Sequence, residues 1–196
     1  MSLYAQAVSS VRELMDAAAV AGEPEPTAMT LATGDAHGRV SARVVLLKQL
    51  DERGFVFYTN YHSAKAEQLG PHQNAALCIL WKMLRDKVQV RVEGAVEQTS
   101  PEESDAYFAS RDRASQIGAW ASLQSQTLPD RAELDARIAR FDREFAGRPV
   151  PRPAHWGGYR LVPDMIEIWY GQRARLHERV RYERVNGDWQ KRMLYP

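Results

Sequence analysis

The feature that most limits how this chain can fold is a series of short segments with β-strand character that follow one another across tight turns. In one of them Val88, Val90 and Val92 alternate with polar residues, which is typical of a strand with one face in a hydrophobic core. Further strands are predicted at residues 27–33, 40–48, 55–59, 75–81, 159–162 and 165–170, with a hairpin turn at Asn186-Gly187. This succession favours a mainly antiparallel sheet or barrel over a doubly wound parallel sheet.

Helices are predicted beside these strands. The first has apolar residues at spacings of three and four from Val8 onward and is expected to end at Gly22. Residues 100–103 have the sequence of a capping box, with proline at the first helical position. Another helix is predicted from Asp130, with an apolar stripe that ends near Gly147. We expect the first and last of these helices to serve packing alone.

The overall composition is that of one globular domain. The 196 residues are 44% hydrophobic and 26% charged, with a formal net charge of +1. A net charge this small argues against a general nucleic-acid binder, so any anion site must be local. No apolar run approaches the roughly 20 residues of a membrane span. The start also lacks the pattern of a signal peptide, and we expect a cytoplasmic protein.

A dense run of cations at residues 169–181 suggests one such local site. If the run is extended, one face carries Arg173, Arg175, His177, Arg179 and Arg181. Like charges in a row are unfavourable unless an anion lies against them, and arginine is well shaped to bind phosphate or carboxylate. A solvated edge strand that its charges protect from aggregation explains the same pattern. The run alone does not decide between these interpretations.

Two further groups of side chains suit phosphate. Ser63 is placed to cap a helix whose first turn contains Lys65, where the helix dipole favours acids, and a bound phosphate resolves this mismatch. Tyr107, Arg111 and Ser115 form a possible set of donors for a phosphate monoester. The competing explanations are an exposed lysine and a helix end whose arginine faces water. For the second group, these residues alone favour the competing explanation.

Other chemistries lack support in the sequence. It contains no G-x-G-x-x-G and no Walker motif, so a nucleotide-like ligand must be held in another way. Asp112 and Glu178 lack a partner acid for hydrolysis, and the five histidines lack metal-ligand spacing. Cys78 is the only cysteine, which excludes an intrachain disulfide. We therefore expect no metal site and no disulfide framework.

Several sequence blocks carry a more specific signal when they are taken together. They are R-V-V-L-L-K at 43–48, F-Y-T-N at 57–60, Q-V-R-V-E-G at 89–94, S-R-D-R-A-S-Q-I-G-A-W at 110–120, W-G-G-Y at 156–159, and Trp169 followed by Arg175-Leu176-His177 and Arg179. In this combination and order, the sequence resembles the pyridoxamine 5′-phosphate oxidase family of FMN enzymes. The resemblance extends from about residue 27 to the C-terminus.

The resemblance implies a mainly β fold with flanking helices, the FMN-binding split β-barrel, in a single domain of residues 1–196. Residues 1–22 are then an N-terminal helix, and residues 27–196 the barrel with its helices and a C-terminal dimerisation and active-site region. The resemblance also implies a homodimer with FMN at the subunit interface. The residues that it implies for FMN are Arg43, Val44, Val45, Leu46, Leu47, Lys48, Tyr58, Thr59, Ser63, Lys65, Gln89, Gln124, Ser125, Trp169 and Arg179. Those that it implies for the substrate are Lys48, Tyr107, Arg111, Ser115, Arg175, Leu176 and His177, with Arg175 and His177 as catalytic residues.

The implied activity is the oxidation of pyridoxamine or pyridoxine 5′-phosphate to pyridoxal 5′-phosphate. Hydride passes from C4′ of the substrate to FMN, and dioxygen is reduced to hydrogen peroxide. The partners of the homodimer are then this small-molecule substrate and dioxygen, with neither nucleic acid nor membrane.

Two departures from the family keep alternatives open. Ala64 stands where an arginine usually contacts the FMN phosphate, so we expect weaker FMN binding unless another cation compensates. The sequence also begins close to the first helix, without the longer segment that closes over the substrate in the family. One alternative is a related split-barrel flavin oxidase of the phenazine-biosynthesis type, which acts on another aromatic compound. The other is a non-catalytic carrier of FMN or pyridoxal phosphate.

Overall fold

The computed structural model of this protein describes residues 1–196, apart from the side chains of residues 71 and 72. The helices are α1 (Leu3–Val20), α2 (Ala64–His72), α3 (Pro101–Ser110), α4 (Arg113–Ala121) and α5 (Arg131–Glu144). The strands are β1 (Ala28–Gly34), β2 (Val40–Leu46), β3 (Gln49–Asp51), β4 (Gly54–Asn60), β5 (Asn74–Trp81), β6 (Val88–Gln98), β7 (Trp156–Tyr170), β8 (Glu178–Val185) and β9 (Asp188–Leu194). A 3₁₀ turn covers Arg173–Arg175. The predicted fold class, mainly β with flanking helices, is confirmed.

The strands form one antiparallel sheet that curls into a split barrel. Its order is β2-β1-β5-β6-β7-β4-β3, and β8 and β9 continue from β7. In β6 the predicted alternation is observed, because Val88, Val90 and Val92 are buried and the residues between them are half-buried. The predicted hairpin turn joins β8 to β9, and both Asn186 and Gly187 have positive φ, as a type I′ turn requires.

The longest strand, β7, has different neighbours at its two ends. One edge pairs with β6 from Tyr159 to Tyr170, whereas the other edge pairs first with β4 and then with β8. Gly157 pairs with Thr59 of β4, and Trp169 pairs with Arg179 of β8. At about 3.3 Å per residue, the two pairs are up to about 40 Å apart along the path of β7. Side chains beside Thr59 and side chains beside Arg179 therefore belong to opposite ends of this strand.

A bulge bends the paired strands β6 and β7 between these two ends. The register shifts between Glu93 and Gly94, opposite Pro163, whose missing N–H suits an irregular position. A Cβ atom on Gly94 would lie 2.1 Å from the carbonyl oxygen of Val162. Only glycine therefore allows the strands to approach this closely.

Two hydrophobic clusters hold the helices against the sheet. The larger lies inside the barrel beneath α1 and includes Phe55. The smaller joins α3, α4 and α5 around Phe108 and Trp156. The predicted caps are observed at Ser100 and Asp130, since each side chain accepts a hydrogen bond from the backbone N–H three residues later. No helix in the described chain is long and apolar enough to cross a membrane.

The interpretation of residues 169–181 as one extended strand is wrong. β7 ends and β8 begins within this run, and a 3₁₀ turn lies between them. Ala174 and Arg175 in that turn have positive φ, 54° and 61°. The five cationic side chains therefore do not form one row, and only Arg179 and Arg181 lie on the same strand.

Candidate active site

A cleft of about 460 Å³ lies against β2, β4 and the junction of α3 and α4. Cations from four parts of the sequence line it: Arg43, Lys48, Lys65 and Arg111. No aspartate or glutamate belongs to the lining within the described part of the chain. We call this site the cationic cleft. Its excess of positive charge is unfavourable on its own and is suited to an anionic ligand.

Lys65 is surrounded by neutral oxygen atoms. Its Nζ lies 3.1 Å from Thr59 Oγ1, 3.1 Å from Gln124 Oε1 and 3.3 Å from Ser63 Oγ. Ser63, the predicted cap, makes no capping hydrogen bond with its side chain. Burial lowers the pKa of the Lys65 ammonium, and the positive charge of Arg43 lowers it further. These contacts hold the ammonium in place without neutralising it.

Arg43 is also held by neutral groups. Its Nη1 donates to Thr33 Oγ1 at 2.6 Å and to the carbonyl oxygen of Leu31 at 3.3 Å, and its Nη2 donates to Gln68 Oε1 at 3.1 Å. Burial lowers the pKa of the Arg43 guanidinium. Arg43 and Lys65 thus bring two uncompensated charges to the same part of the cleft, which suits a phosphate group.

Arg111 lies between a stack of aromatic rings and the cleft. Its Cζ is 4.6 Å from the centroid of the Trp156 ring. Trp156 stacks on Tyr58 at 5.5 Å, and Tyr58 stacks on Tyr107 at 3.9 Å. Burial lowers the pKa of the Arg111 guanidinium, and its Nη1 is buried without a hydrogen-bond partner among the described residues. Because such an N–H is costly to leave unpaired, an acceptor on a ligand is its natural complement.

The second set of side chains that was predicted to bind phosphate comes together at the α3–α4 junction. Tyr107, Arg111 and Ser115 all line the cationic cleft, as does Lys48. Asp112 lies between them in sequence, but its Oδ1 accepts a hydrogen bond from the backbone N–H of Ser115 at 2.8 Å and caps α4. The neighbouring carboxylate is therefore used by the helix, and Arg111 remains available to a ligand.

Other predicted residues lie at the far end of β7. Gln89, Trp169 and Arg179 are side by side on β6, β7 and β8. The ring of His177 is 4.4 Å from that of Trp169, and its Nδ1 accepts a hydrogen bond from the backbone N–H of Gln172 at 3.2 Å. This bond requires Nδ1 to be unprotonated, so Nε2 carries the proton of the neutral ring.

The turn before β8 completes this second set. Leu176 and His177 line another cavity, of about 570 Å³, together with Asp86 and Arg173. Arg175 is exposed on the 3₁₀ turn. We call the second set the C-terminal group, which consists of Gln89, Trp169, Arg175, Leu176, His177 and Arg179.

Glu167, which sequence reasoning missed, is a carboxylate with only 2% of its surface exposed beside the C-terminal group. Its Oε1 accepts hydrogen bonds from Nε and Nη2 of Arg179 at 3.1 and 2.9 Å. Its Oε2 accepts from Nε and Nη2 of Arg181 at 3.0 and 2.7 Å. Burial alone raises the pKa of Glu167, but the hydrogen bonds from Arg181 and Arg179 outweigh it and hold the pKa below its ordinary value. The sequence feature that could have indicated this residue is an acidic side chain between Ile166 and Ile168 in a predicted strand.

The predicted cofactor residues divide between several places. Those that line the cationic cleft are Arg43, Val44, Val45, Leu46, Lys48, Tyr58, Thr59, Lys65 and Gln124. Leu47 is in the hydrophobic core, Ser63 is buried behind Lys65, and Ser125 is exposed in a loop with φ of 74°. Trp156 also lines the cleft, although the sequence singled it out only as part of the W-G-G-Y block.

Comparison with known proteins agrees with the sequence resemblance. The family described as pyridoxamine 5′-phosphate oxidase matches residues 15–143, and the pyridoxine 5′-phosphate oxidase C-terminal dimerisation region matches residues 156–196. A pyridoxine/pyridoxamine 5′-phosphate oxidase from Xanthomonas oryzae pv. oryzae is 57% identical over 196 residues, 99% of this chain and 98% of the relative. One from Myxococcus xanthus is 55% identical over 184 residues, 94% of this chain and 88% of the relative.

Two solved structures are also similar. PhzG from Burkholderia lata, in complex with tetrahydrophenazine-1-carboxylic acid, aligns with a TM-score of 0.91 at 33% identity, over 96% of this chain and 92% of its own. A pyridoxamine 5′-phosphate oxidase-related, FMN binding protein from Nostoc punctiforme aligns with a TM-score of 0.74 at 16% identity, over 100% and 99%. The second likeness bears on the fold alone. On these matches, the chain belongs to the pyridoxine/pyridoxamine 5′-phosphate oxidase family.

Proposed function

We propose that this protein oxidises pyridoxamine 5′-phosphate or pyridoxine 5′-phosphate to pyridoxal 5′-phosphate, with FMN as cofactor and dioxygen as electron acceptor. As a member of its family it is an oxidoreductase. The observation that carries the proposal is the cationic cleft, in which four cations have no acidic neighbour among the described lining residues. A substrate and a cofactor that each bear a phosphate supply the missing negative charge.

The cleft residues fit FMN. Arg43 and Lys65 are held by neutral groups, so both keep their charge for the FMN phosphate, and Ala64 adds none. Thr59 and Gln124 add hydrogen-bonding groups to the same lining. When bound, FMN supplies the two-electron chemistry that takes a hydride from the substrate and returns the electrons to dioxygen, which leaves as hydrogen peroxide. With pyridoxamine 5′-phosphate, water then hydrolyses the resulting imine to the aldehyde, and the nitrogen leaves as ammonia.

Lys48, Tyr107, Arg111 and Ser115 bind the phosphate of the substrate. The unpaired Nη1 of Arg111 then gains an acceptor, and the hydroxyl groups of Tyr107 and Ser115 donate to the remaining phosphate oxygens. These contacts fix where the reacting carbon lies. The four side chains thus contribute to the rate through orientation and take no part in bond breaking.

Arg175 and His177 act at the pyridine ring of the substrate. The exposed guanidinium of Arg175 supplies donors that orient the ring. His177 offers its Nε2–H to a ring substituent, because its Nδ1 is occupied by the backbone N–H of Gln172. Both residues belong to the C-terminal group, at the opposite end of β7 from Trp156 and Arg111.

The site is therefore completed by a second copy of the chain. Arg111 lies over Trp156 at the start of β7, and His177 lies against Trp169 near its end, so a strand path of up to about 40 Å separates these two substrate contacts. A single small substrate molecule is too short to bridge that path within one chain. The family's dimerisation region covers residues 156–196, which include the whole C-terminal group except Gln89. In a symmetric dimer, the C-terminal group of one subunit faces the cationic cleft of the other, which gives two equal sites. Analytical ultracentrifugation is expected to give twice the 22.2 kDa mass of the chain, and a monomer at assay concentration contradicts the proposal.

The activity is tested by aerobic turnover of the purified, FMN-supplemented protein with pyridoxamine 5′-phosphate. Aldehyde and hydrogen peroxide are expected in equal amounts, whereas unphosphorylated pyridoxamine is expected to react poorly because it leaves the Arg111 site empty. A flavin-loaded protein that turns over neither substrate contradicts the proposal. Equal turnover of both substrates contradicts the phosphate site.

The similarity to PhzG supports a second candidate, a flavin oxidase of a reduced tricyclic carboxylic acid. A carboxylate can pair with one arginine of the cleft but does not need the hydroxyl groups of Tyr107 and Ser115. Oxidation of a dihydrophenazine carboxylic acid without turnover of pyridoxamine 5′-phosphate favours this candidate.

A further inference from the structure

Arg111 is held in the cationic cleft by an aromatic ring. Its Cζ lies 4.6 Å from the centroid of Trp156 and 5.7 Å from that of Phe108. Trp156 is 7% exposed and is fixed at the start of β7, where it pairs with Asn60 of β4. Its carbonyl oxygen also accepts a hydrogen bond from Arg152 at 2.7 Å. The ring beneath the guanidinium is thus part of the rigid sheet.

A ring holds an arginine differently from a carboxylate. A carboxylate brings a negative charge to the guanidinium and occupies its N–H groups, as Glu167 does for Arg179 and Arg181. The face of an indole attracts the cation through its quadrupole and leaves both the net charge and the N–H donors free. The unpartnered Nη1 of Arg111 is the direct sign of this difference.

We propose that Trp156 is a positioning residue for the substrate's phosphate, which acts by holding Arg111 through a cation–π contact. This inference rests on the proposed function, in which Arg111 binds that phosphate. Trp156 orients the guanidinium before the substrate arrives, so less side-chain freedom is lost on binding. The contact is specific to this tryptophan within its cluster, because Trp120 packs on Phe141 and Phe145 instead.

The first test compares Trp156→Leu, Trp156→Phe and a matched control, Trp120→Leu, which removes another tryptophan of the same cluster. For pyridoxamine 5′-phosphate, KM is expected to rise roughly tenfold in Trp156→Leu and about threefold in Trp156→Phe, which keeps a weaker ring. We expect kcat and the KM for unphosphorylated pyridoxamine to stay within about twofold of the wild-type values. The control, Trp120→Leu, should leave kcat and both KM values unchanged. A purely structural role changes both substrates equally, and that result overturns the inference.

A double-mutant cycle tests whether Trp156 acts through Arg111. In an Arg111→Met background, Trp156→Phe is expected to cause no further rise in KM. A full additional effect in that background shows that Trp156 acts elsewhere and overturns the inference.

Calorimetric titration with pyridoxal 5′-phosphate gives a readout that does not need turnover, and it is expected to show the same order of affinities. If the wild-type protein binds this ligand but turns over no substrate, the proposed function fails, while the titrations still decide the role of Trp156. Unchanged affinity in both Trp156 variants overturns that role.

Discussion

The cationic cleft and the cluster of Glu167, Arg179 and Arg181, which we call the Glu167 cluster, both concentrate arginines beside the sheet. They differ in what each positive charge contacts. Beside Glu167, four hydrogen bonds from Arg179 and Arg181 end on one buried carboxylate. In the cleft, Arg43 and Lys65 meet neutral oxygens, and Arg111 meets an aromatic ring. In the first arrangement each arginine pairs with a carboxylate of the same chain, since Glu167 contacts both and Glu183 lies 3.8 Å from Arg181. The second leaves its charges for a ligand.

The difference separates cations that pair with a carboxylate of their own chain from cations whose charge is free for a ligand. Removal of one partner from a buried ion pair destabilises the native state, because the charge that remains is buried without compensation. An uncompensated, partly buried cation destabilises the fold by its charge and gains its partner only when the ligand binds. Substitutions in the two regions are therefore expected to separate stability from binding.

The largest effect is expected from Glu167→Gln. The substitution keeps the shape of the side chain but removes the carboxylate that pairs with Arg179 and leaves Arg181 with Glu183 alone, at 3.8 Å. The free energy of unfolding should therefore fall by about 3 kcal/mol. Urea unfolding measures this change. The matched control is Glu93→Gln on the neighbouring strand, where the carboxylate is 45% exposed and pairs with Arg91. It should lower the free energy of unfolding by less than about 1 kcal/mol. Equal losses in Glu167→Gln and Glu93→Gln would contradict the claim that the buried carboxylate stabilises the fold more than an exposed one.

Arg111→Met is expected to show the opposite pattern. The affinity for pyridoxal 5′-phosphate should fall roughly 10- to 100-fold, because a charged hydrogen bond to phosphate is lost. The free energy of unfolding should stay the same or rise, since a buried, unpaired N–H is removed with the charge. Calorimetric titration and urea unfolding of the same preparation check both parts. A large loss of stability would show that Arg111 serves the fold.

Acid should weaken the Glu167 cluster in a defined direction. The pKa of Glu167 is held below its ordinary value of 4.5 in the folded protein, so its contribution is complete above that value and is lost as the pH falls through the lower, folded pKa. The difference in unfolding free energy between wild type and Glu167→Gln should therefore be constant near neutrality and shrink below about pH 4.5. A difference that grows with acidity contradicts the assignment.

The smallest effect is expected from Arg91→Met. Arg91 is 4.0 Å from Glu167 and its side chain is 39% exposed, so the pair is largely screened by water. The free energy of unfolding should change by less than about 1 kcal/mol. A loss comparable to that of Glu167→Gln would mean that three arginines, and not two, compensate the carboxylate.

The sequence predicted the features that depend on local chemistry. The Ser100 and Asp130 caps and the Asn186-Gly187 turn follow from residue type at fixed spacing, and all of them are observed. The alternation in β6 likewise follows from one buried face. Such features need only a few neighbouring residues to be recognised.

What the sequence could not show depends on contacts between distant segments or on unusual backbone. The positive φ of Ala174 and Arg175 has no signal in their residue types, so the sequence does not show that the run at 169–181 is broken between two strands. The role of Glu167 depends on its register against β8, and that of Trp156 on a helix end far away in sequence. The sequence itself indicates Lys65 and the set of Tyr107, Arg111 and Ser115 as possible phosphate-binding residues. The other residues of the cationic cleft are assigned by resemblance, because no local pattern brings β2, β4 and α4 together.

The central claim is that the cationic cleft of one subunit and the C-terminal group of the other form one site. Subunit mixing tests it directly, with Arg111→Met chains and Arg175→Ala chains that carry different affinity tags. Each variant alone should be nearly inactive at a substrate concentration well below its KM. After unfolding and refolding together in equal amounts, about one quarter of wild-type activity should return, because half of the dimers contain one site with both parts intact. If doubly tagged dimers form but remain as inactive as the separate variants, the two parts do not meet across the interface.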